Sequence, residues 1–107
     1  MTEVADADVV RALRALANPT RLRLLSWLRE PMRNFELADA TTDPVEVGVC
    51  VSHIQAKAGL AQSTVSAYLA ELERAGLVVS TRVGKWTFYR RDERRIAQLV
   101  ALLDRTL

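Results

Sequence analysis

The sequence predicts a mainly α-helical domain with one small β-hairpin, in the order α-α-β-α-α-β-β-α. Three observations predict it. Apolar residues recur at helical spacing near both ends and in the middle of the chain, Gly59 parts two such segments by a short turn, and around Gly84 the spacing changes to the alternation of paired strands.

Val9, Val10, Leu13, Leu16 and Ala17 form the first helical stripe, which stops near Asn18-Pro19. Asn18 suits an N-cap and Pro19 the first helical position, so a second helix carries Leu22, Leu24, Leu25, Trp27 and Leu28 as far as Pro31. From Pro31 to Gly48 periodicity is lost. This stretch holds Glu36, Asp39, Asp43 and Glu46, with no basic residue beyond Arg33, and is expected to be a surface loop pinned by Phe35 and Leu37. Val47 to Val51 alternates as a short strand, after which Ser52 is expected to cap a helix containing Ile54, Ala56 and Ala58 that ends at Gly59.

Gln62 to Ala75 places Val65, Tyr68, Leu69 and Leu72 on one stripe, and Gly76 closes it. Leu77, Val79 and Thr81 then alternate towards Val83-Gly84-Lys85-Trp86 and on to Phe88 and Arg90, which makes a hairpin with Gly84 at its tip. Asp92 caps a last helix whose apolar face is Ile96, Leu99, Val100, Leu103 and Leu107.

A chain of 107 residues suits one domain, and half of it is hydrophobic with only four glycines and three prolines, so it is expected to fold throughout. No apolar run approaches the roughly 20 residues of a membrane span, and the acidic start Met1 to Asp8 is unlike a secretory signal. A cytoplasmic protein with no membrane partner is expected. One cysteine excludes an intrachain disulfide and a cysteine-rich zinc site. One His, one Cys and no glycine-rich phosphate loop leave no nucleophile and base pair, so the chain is not expected to be an enzyme. The net charge of +2 hides an asymmetry: residues 1–48 carry six basic and eight acidic side chains, residues 49–107 nine basic and five acidic. The second half is the half suited to a polyanion.

Helix, glycine turn and a second helix opened by short polar residues is the sequence form of a helix-turn-helix, and the hairpin behind it is a wing. In such a unit the second helix enters the major groove of double-stranded DNA with its N-terminal residues toward the base edges. Gln62, Ser63, Thr64 and Ser66 have that place, and Arg82 and Lys85 flank the wing tip where phosphates would pass.

The segment Leu16-Ala17-Asn18-Pro19-Thr20-Arg21-Leu22-Arg23-Leu24-Leu25, then Gln62-Ser63-Thr64-Val65-Ser66, Leu69, Leu72, Ala75-Gly76-Leu77-Val78 and Gly84-Lys85-Trp86-Thr87-Phe88-Tyr89, resembles the ArsR/SmtB family over most of the chain. The resemblance implies a winged helix-turn-helix repressor that an effector releases from DNA, with Gln62, Ser63, Thr64, Ser66 and Tyr68 on the recognition helix. Two departures bear on mechanism. Members that sense arsenite or metals through thiolates have Cys-Val-Cys where this chain has Cys50-Val51-Ser52, and zinc-type members use carboxylates and His on a last helix that here offers only Asp92, Glu93 and Asp104. Neither familiar metal site is complete. Tyr68 also stands where many members have His, and Ala61 where a Ser cap is common.

Cys50 and His53, three residues apart, remain a candidate pair for a transition metal ion, with carboxylates or the amino terminus completing the set; the other reading makes Cys50 a small apolar residue at a strand end. The four loop acids are read as a solvated segment or a hard-cation site. The first and last helices carry more apolar surface than one small core covers, so Val9, Leu13, Leu16, Leu99, Val100 and Leu103 are assigned to a homodimer seam that presents two recognition helices to an inverted repeat. The competing reading is a winged-helix interaction module, or a DNA-binding subunit whose sensing lies in a regulatory protein partner.

Overall fold

Asn18 makes the first corner of the chain. Its Oδ1 accepts from the backbone N–H groups of Thr20 and Arg21 at 2.9 and 3.0 Å, so α1 (Asp6–Leu16) gives way at once to α2 (Pro19–Arg29), with Pro19 in the first turn where its missing N–H costs nothing. The computed structural model describes residues 4–107. After α2 come α3 (Pro31–Asn34), β1 (Val49–Cys50), α4 (Val51–Ala58), α5 (Gln62–Arg74), β2 (Val78–Val83), β3 (Trp86–Arg91) and α6 (Glu93–Thr106).

Three expectations need correction. The segment after Pro31 is not loop throughout: it opens with the helical turn α3, because Pro31 again suits a first helical position and the Asn34 side chain donates to the carbonyls of Trp27 and Glu30 at the end of α2. The strand expected over Val47 to Val51 shrinks to Val49–Cys50, and Ser52 does not cap α4. The chain turns directly from strand to helix at Cys50, and Ser52 lies inside the first turn with its hydroxyl donating to the Cys50 sulfur at 3.3 Å. Phe35 pins the following segment as expected, buried edge-on to Trp27 with ring centres 6.4 Å apart.

The three strands form one antiparallel sheet in the order β1-β3-β2, with Val49 opposite Tyr89, Cys50 opposite Phe88 and Val83 opposite Trp86 at the hairpin end. Gly84 has φ +60, and among the described residues no residue type other than glycine has positive φ, which fits the two-residue hairpin turn with glycine first. Leu24, Val49, Ile54, Val65, Leu69 and Leu72 are the most fully enclosed side chains, so both helices of the α4-α5 pair hang on the same core as α2. Each contributes about 1.5–3 kcal/mol by leaving water. Asp92 caps α6 by accepting from Arg95 N–H at 3.0 Å, and Arg95 in turn pairs with Asp8 at 3.1 Å, which holds the start of α6 to the start of α1. Among the described residues no helix is long and apolar enough to cross a membrane.

Candidate nucleic-acid interface

Helix α5 is polar where it begins and apolar along its inner side. Gln62 and Ser63 are exposed, Thr64, Ser66 and Tyr68 are half-buried, and Val65, Leu69 and Leu72 are buried. Its first turn holds no acidic residue and no side-chain cap, so the free N–H groups and the positive end of the helix dipole face outward beside short hydroxyl and amide side chains. That arrangement suits phosphate approach and base-edge hydrogen bonds.

The wing is held to this helix by one carboxylate. Glu73 Oε2 accepts from both the backbone N–H and the hydroxyl of Ser80, at 3.3 and 2.7 Å, which ties β2 to the last turns of α5. Beyond that tether Arg82, Gly84, Lys85 and Trp86 are all exposed. Arg82 Nε donates to the Gly84 carbonyl at 3.2 Å and Lys85 Nζ lies 5.4 Å from the centre of the Trp86 ring, so both cations are positioned at the tip without an acidic partner among the described residues. Glu71 is held below its ordinary pKa by the hydrogen bond from Arg74 and then by that cation's charge. Tyr89 on β3 is pushed upward, first by burial and second by the charge of Glu73.

Tyr68 is less free than its neighbours. The Arg21 guanidinium lies 5.3 Å from its ring centre, an interaction that sequence spacing does not reveal because it joins α2 to α5 across the core edge. The residues assigned to a dimer seam divide. Val9 and Leu99 are buried in this chain's own core, Leu16 and Leu103 are partly buried against it, and Leu13 and Val100 are exposed at 48% and 59%. Val10 on α1 belongs with the exposed pair at 46%.

Cys50 is buried and His53 lies one turn along α4, where its Nε2 is 3.1 Å from Asp39 Oδ1. Asp92 and Glu93 are committed to the Arg95 cap and to Arg91. Among the described residues no three of His, Cys, Asp and Glu come together as a metal site, and the amino terminus considered as a further ligand lies outside them.

The family profile described as bacterial regulatory protein, arsR family, matches residues 49–80, the span of β1, α4, α5 and the start of β2. An uncharacterized HTH-type transcriptional regulator of Bacillus subtilis, YbzH, is 45% identical over 96 residues, covering 90% of this chain and 95% of that protein. The HTH-type transcriptional regulator NmtR of Mycobacterium tuberculosis is 35% identical over 97 residues, covering 90% and 67%. The homodimeric winged helix-turn-helix DNA-binding domain from Mycobacterium bovis, solved by solution NMR, superposes with a TM-score of 0.64 at 28% identity over 99% of this chain and 89% of that one. With relatives of this similarity over nearly the whole length, and a helix α5 polar at its start beside a hairpin basic at its tip, the chain belongs to the ArsR family of DNA-binding transcriptional regulators.

Proposed function

We propose that the chain acts as a homodimeric repressor seated on an inverted-repeat operator. Gln62, Ser63, Thr64, Ser66 and Tyr68 read base edges in the major groove, while Arg82 and Lys85 grip the phosphates on either side. The observation that carries this reading is the Glu73 to Ser80 tether, which fastens β2 of the basic hairpin to the last turn of the helix whose start is polar. The homodimeric description of the Mycobacterium bovis domain supports pairing, and the exposed apolar residues Val10, Leu13 and Val100 are the surface this chain offers for it.

An effector that lowers operator affinity completes the reading. Serine at position 52 and a last helix without His argue against the two metal sites the resemblance implies, so the signal is received elsewhere. The test is a duplex selected from a random pool by the purified protein, followed by anisotropy titration across a salt series. Recovery of an inverted repeat with a steep negative salt slope supports the proposal, and enrichment of no sequence, or a flat slope, rejects it.

A further inference from the structure

The acidic segment between α3 and β1 overhangs a half-open pocket of about 290 Å3, at the lower end of the range for small-molecule pockets. Three parts of the chain wall it: Leu37 and Asp39 from the segment itself, Cys50 and His53 from the junction of β1 with α4, and Trp86 and Phe88 from the wing strand β3. The segment is fastened at both ends. Phe35 is buried against Trp27, and Gly48 returns so close to β3 that a Cβ there would meet the Tyr89 carbonyl oxygen at 2.5 Å.

Charge selects the ligand. No Lys or Arg lines the cavity, Asp39 is its carboxylate, and Glu36, Asp43 and Glu46 sit on the same segment. An anion entering here would meet the Asp39 carboxylate with no Lys or Arg among the lining residues to offset the repulsion. A metal ion finds no set of three donors among the described residues, and the Cys50 sulfur already accepts from Ser52. An aromatic wall beside a carboxylate is the arrangement that holds an organic ammonium, since ring faces attract the cation and the carboxylate takes its N–H groups. Trp86 already holds one cation, Lys85, in this way, and Asp39, with one oxygen on His53, has further lone pairs to offer.

We propose that this cavity is an effector site for a small organic ammonium with a compact apolar body, seated between Asp39 and Trp86, and that its occupancy changes how the wing is held against α5. The coupling half rests on the DNA-binding reading above, and the binding half does not. The route is physical contact: the cavity touches wing strand β3 and the first turn of α4, so a ligand that prefers one spacing of the two shifts their equilibrium by its differential affinity.

Binding is tested with 2-phenylethylammonium, against 2-phenylethanol and phenylacetate as neutral and anionic counterparts and zinc chloride as a metal. A Trp27→Phe variant leaves Trp86 as the sole indole reporter. The expected result is a saturable change in Trp86 emission with a Kd of about 1 mM or tighter for the ammonium. Phenylacetate should bind about tenfold more weakly, and Asp39→Asn should weaken the ammonium about tenfold while leaving the alcohol unaffected. No saturable response to the ammonium, equal binding of all three compounds, or a response to zinc alone would overturn the site. For the coupling, saturating ammonium should shift the Kd for the selected duplex about threefold or more, a shift that Asp39→Asn abolishes. Saturable ligand binding with an unchanged duplex Kd overturns the coupling. A protein that selects no duplex fails the DNA-binding reading instead, and the fluorescence titration still decides the site.

Discussion

The guanidinium of Arg21 stands 5.3 Å from the centre of the Tyr68 ring while its Nε donates to the Ala15 carbonyl at 2.7 Å. One side chain thus spans the end of α1, the first turn of α2 and the middle of α5. Arg21→Ala should lower unfolding free energy by about 1–2 kcal/mol, the sum of a cation–π contact and a hydrogen bond, whereas Tyr68→Phe keeps the ring and should change it by less than about 0.5 kcal/mol. Urea titrations of the two variants check this. An Arg21→Ala protein as stable as the parent would show that the contact contributes nothing.

Local chemistry was legible in the sequence, and non-local packing was not. The Asn18-Pro19 corner, the glycine at the hairpin tip and the Asp92 cap each depend on a few adjacent residues, and all three stand where their chemistry places them. The start of α4 lies two residues earlier than a Ser52 cap would put it, because pairing of Cys50 with Phe88 on a distant strand, rather than the Ser52 hydroxyl, fixes where the chain turns. Helical spacing puts Val9 and Leu99 on the same stripes as Leu13 and Val100. It cannot say which edge of a stripe the chain's own core takes, and here the core takes Val9 and Leu99. The turn α3 had a signal in Pro31 followed by Asn34, the same proline-led start that marked α2.

That division sharpens the test of pairing. Val100→Asp places a charge on an exposed apolar surface, so the monomer should stay folded while the dimer dissociates. Leu99→Asp would instead bury the charge in the monomer core and unfold it. Light scattering with far-UV circular dichroism separates the outcomes, and a Val100→Asp protein of unaltered dimer mass would remove α6 from the seam.

Phosphate and base contacts should respond differently. Changing Arg82 and Lys85 together to Ala should weaken binding to every duplex and reduce the salt slope by about one unit per lost contact, with sequence preference kept. Gln62→Ala should cost about 1–3 kcal/mol of discrimination at one base pair in each half-site if the amide is bidentate to adenine. Equal losses on selected and random DNA would take Gln62 out of base readout.

Two glycines with positive φ should behave unlike each other when changed to Ala. Gly84, φ +60 at the wing tip, has nothing within 4 Å of an added Cβ, and its backbone lies in the left-handed region that L residues enter at a cost of about 1–2 kcal/mol. Gly48, φ +115, carries the strain of a positive φ as well, and its Cβ would meet the Tyr89 carbonyl oxygen and carbon at 2.5 and 2.6 Å, atoms of a paired strand with no side-chain freedom to give way. The chain must therefore lift off β3 beside β1, which has only the pairs of Val49 with Tyr89 and Cys50 with Phe88 to hold it. Gly48→Ala should cost about 3 kcal/mol or more, strain and lost pairing together, and should open the pocket beneath the acidic segment, with faster exchange of the Val49 amide, which the register turns toward Tyr89. Gly84→Ala should leave that amide protected. Hydrogen exchange read by NMR decides it: similar protection at Val49 in both variants would mean that the return of the chain at Gly48 does not hold the acidic segment closed.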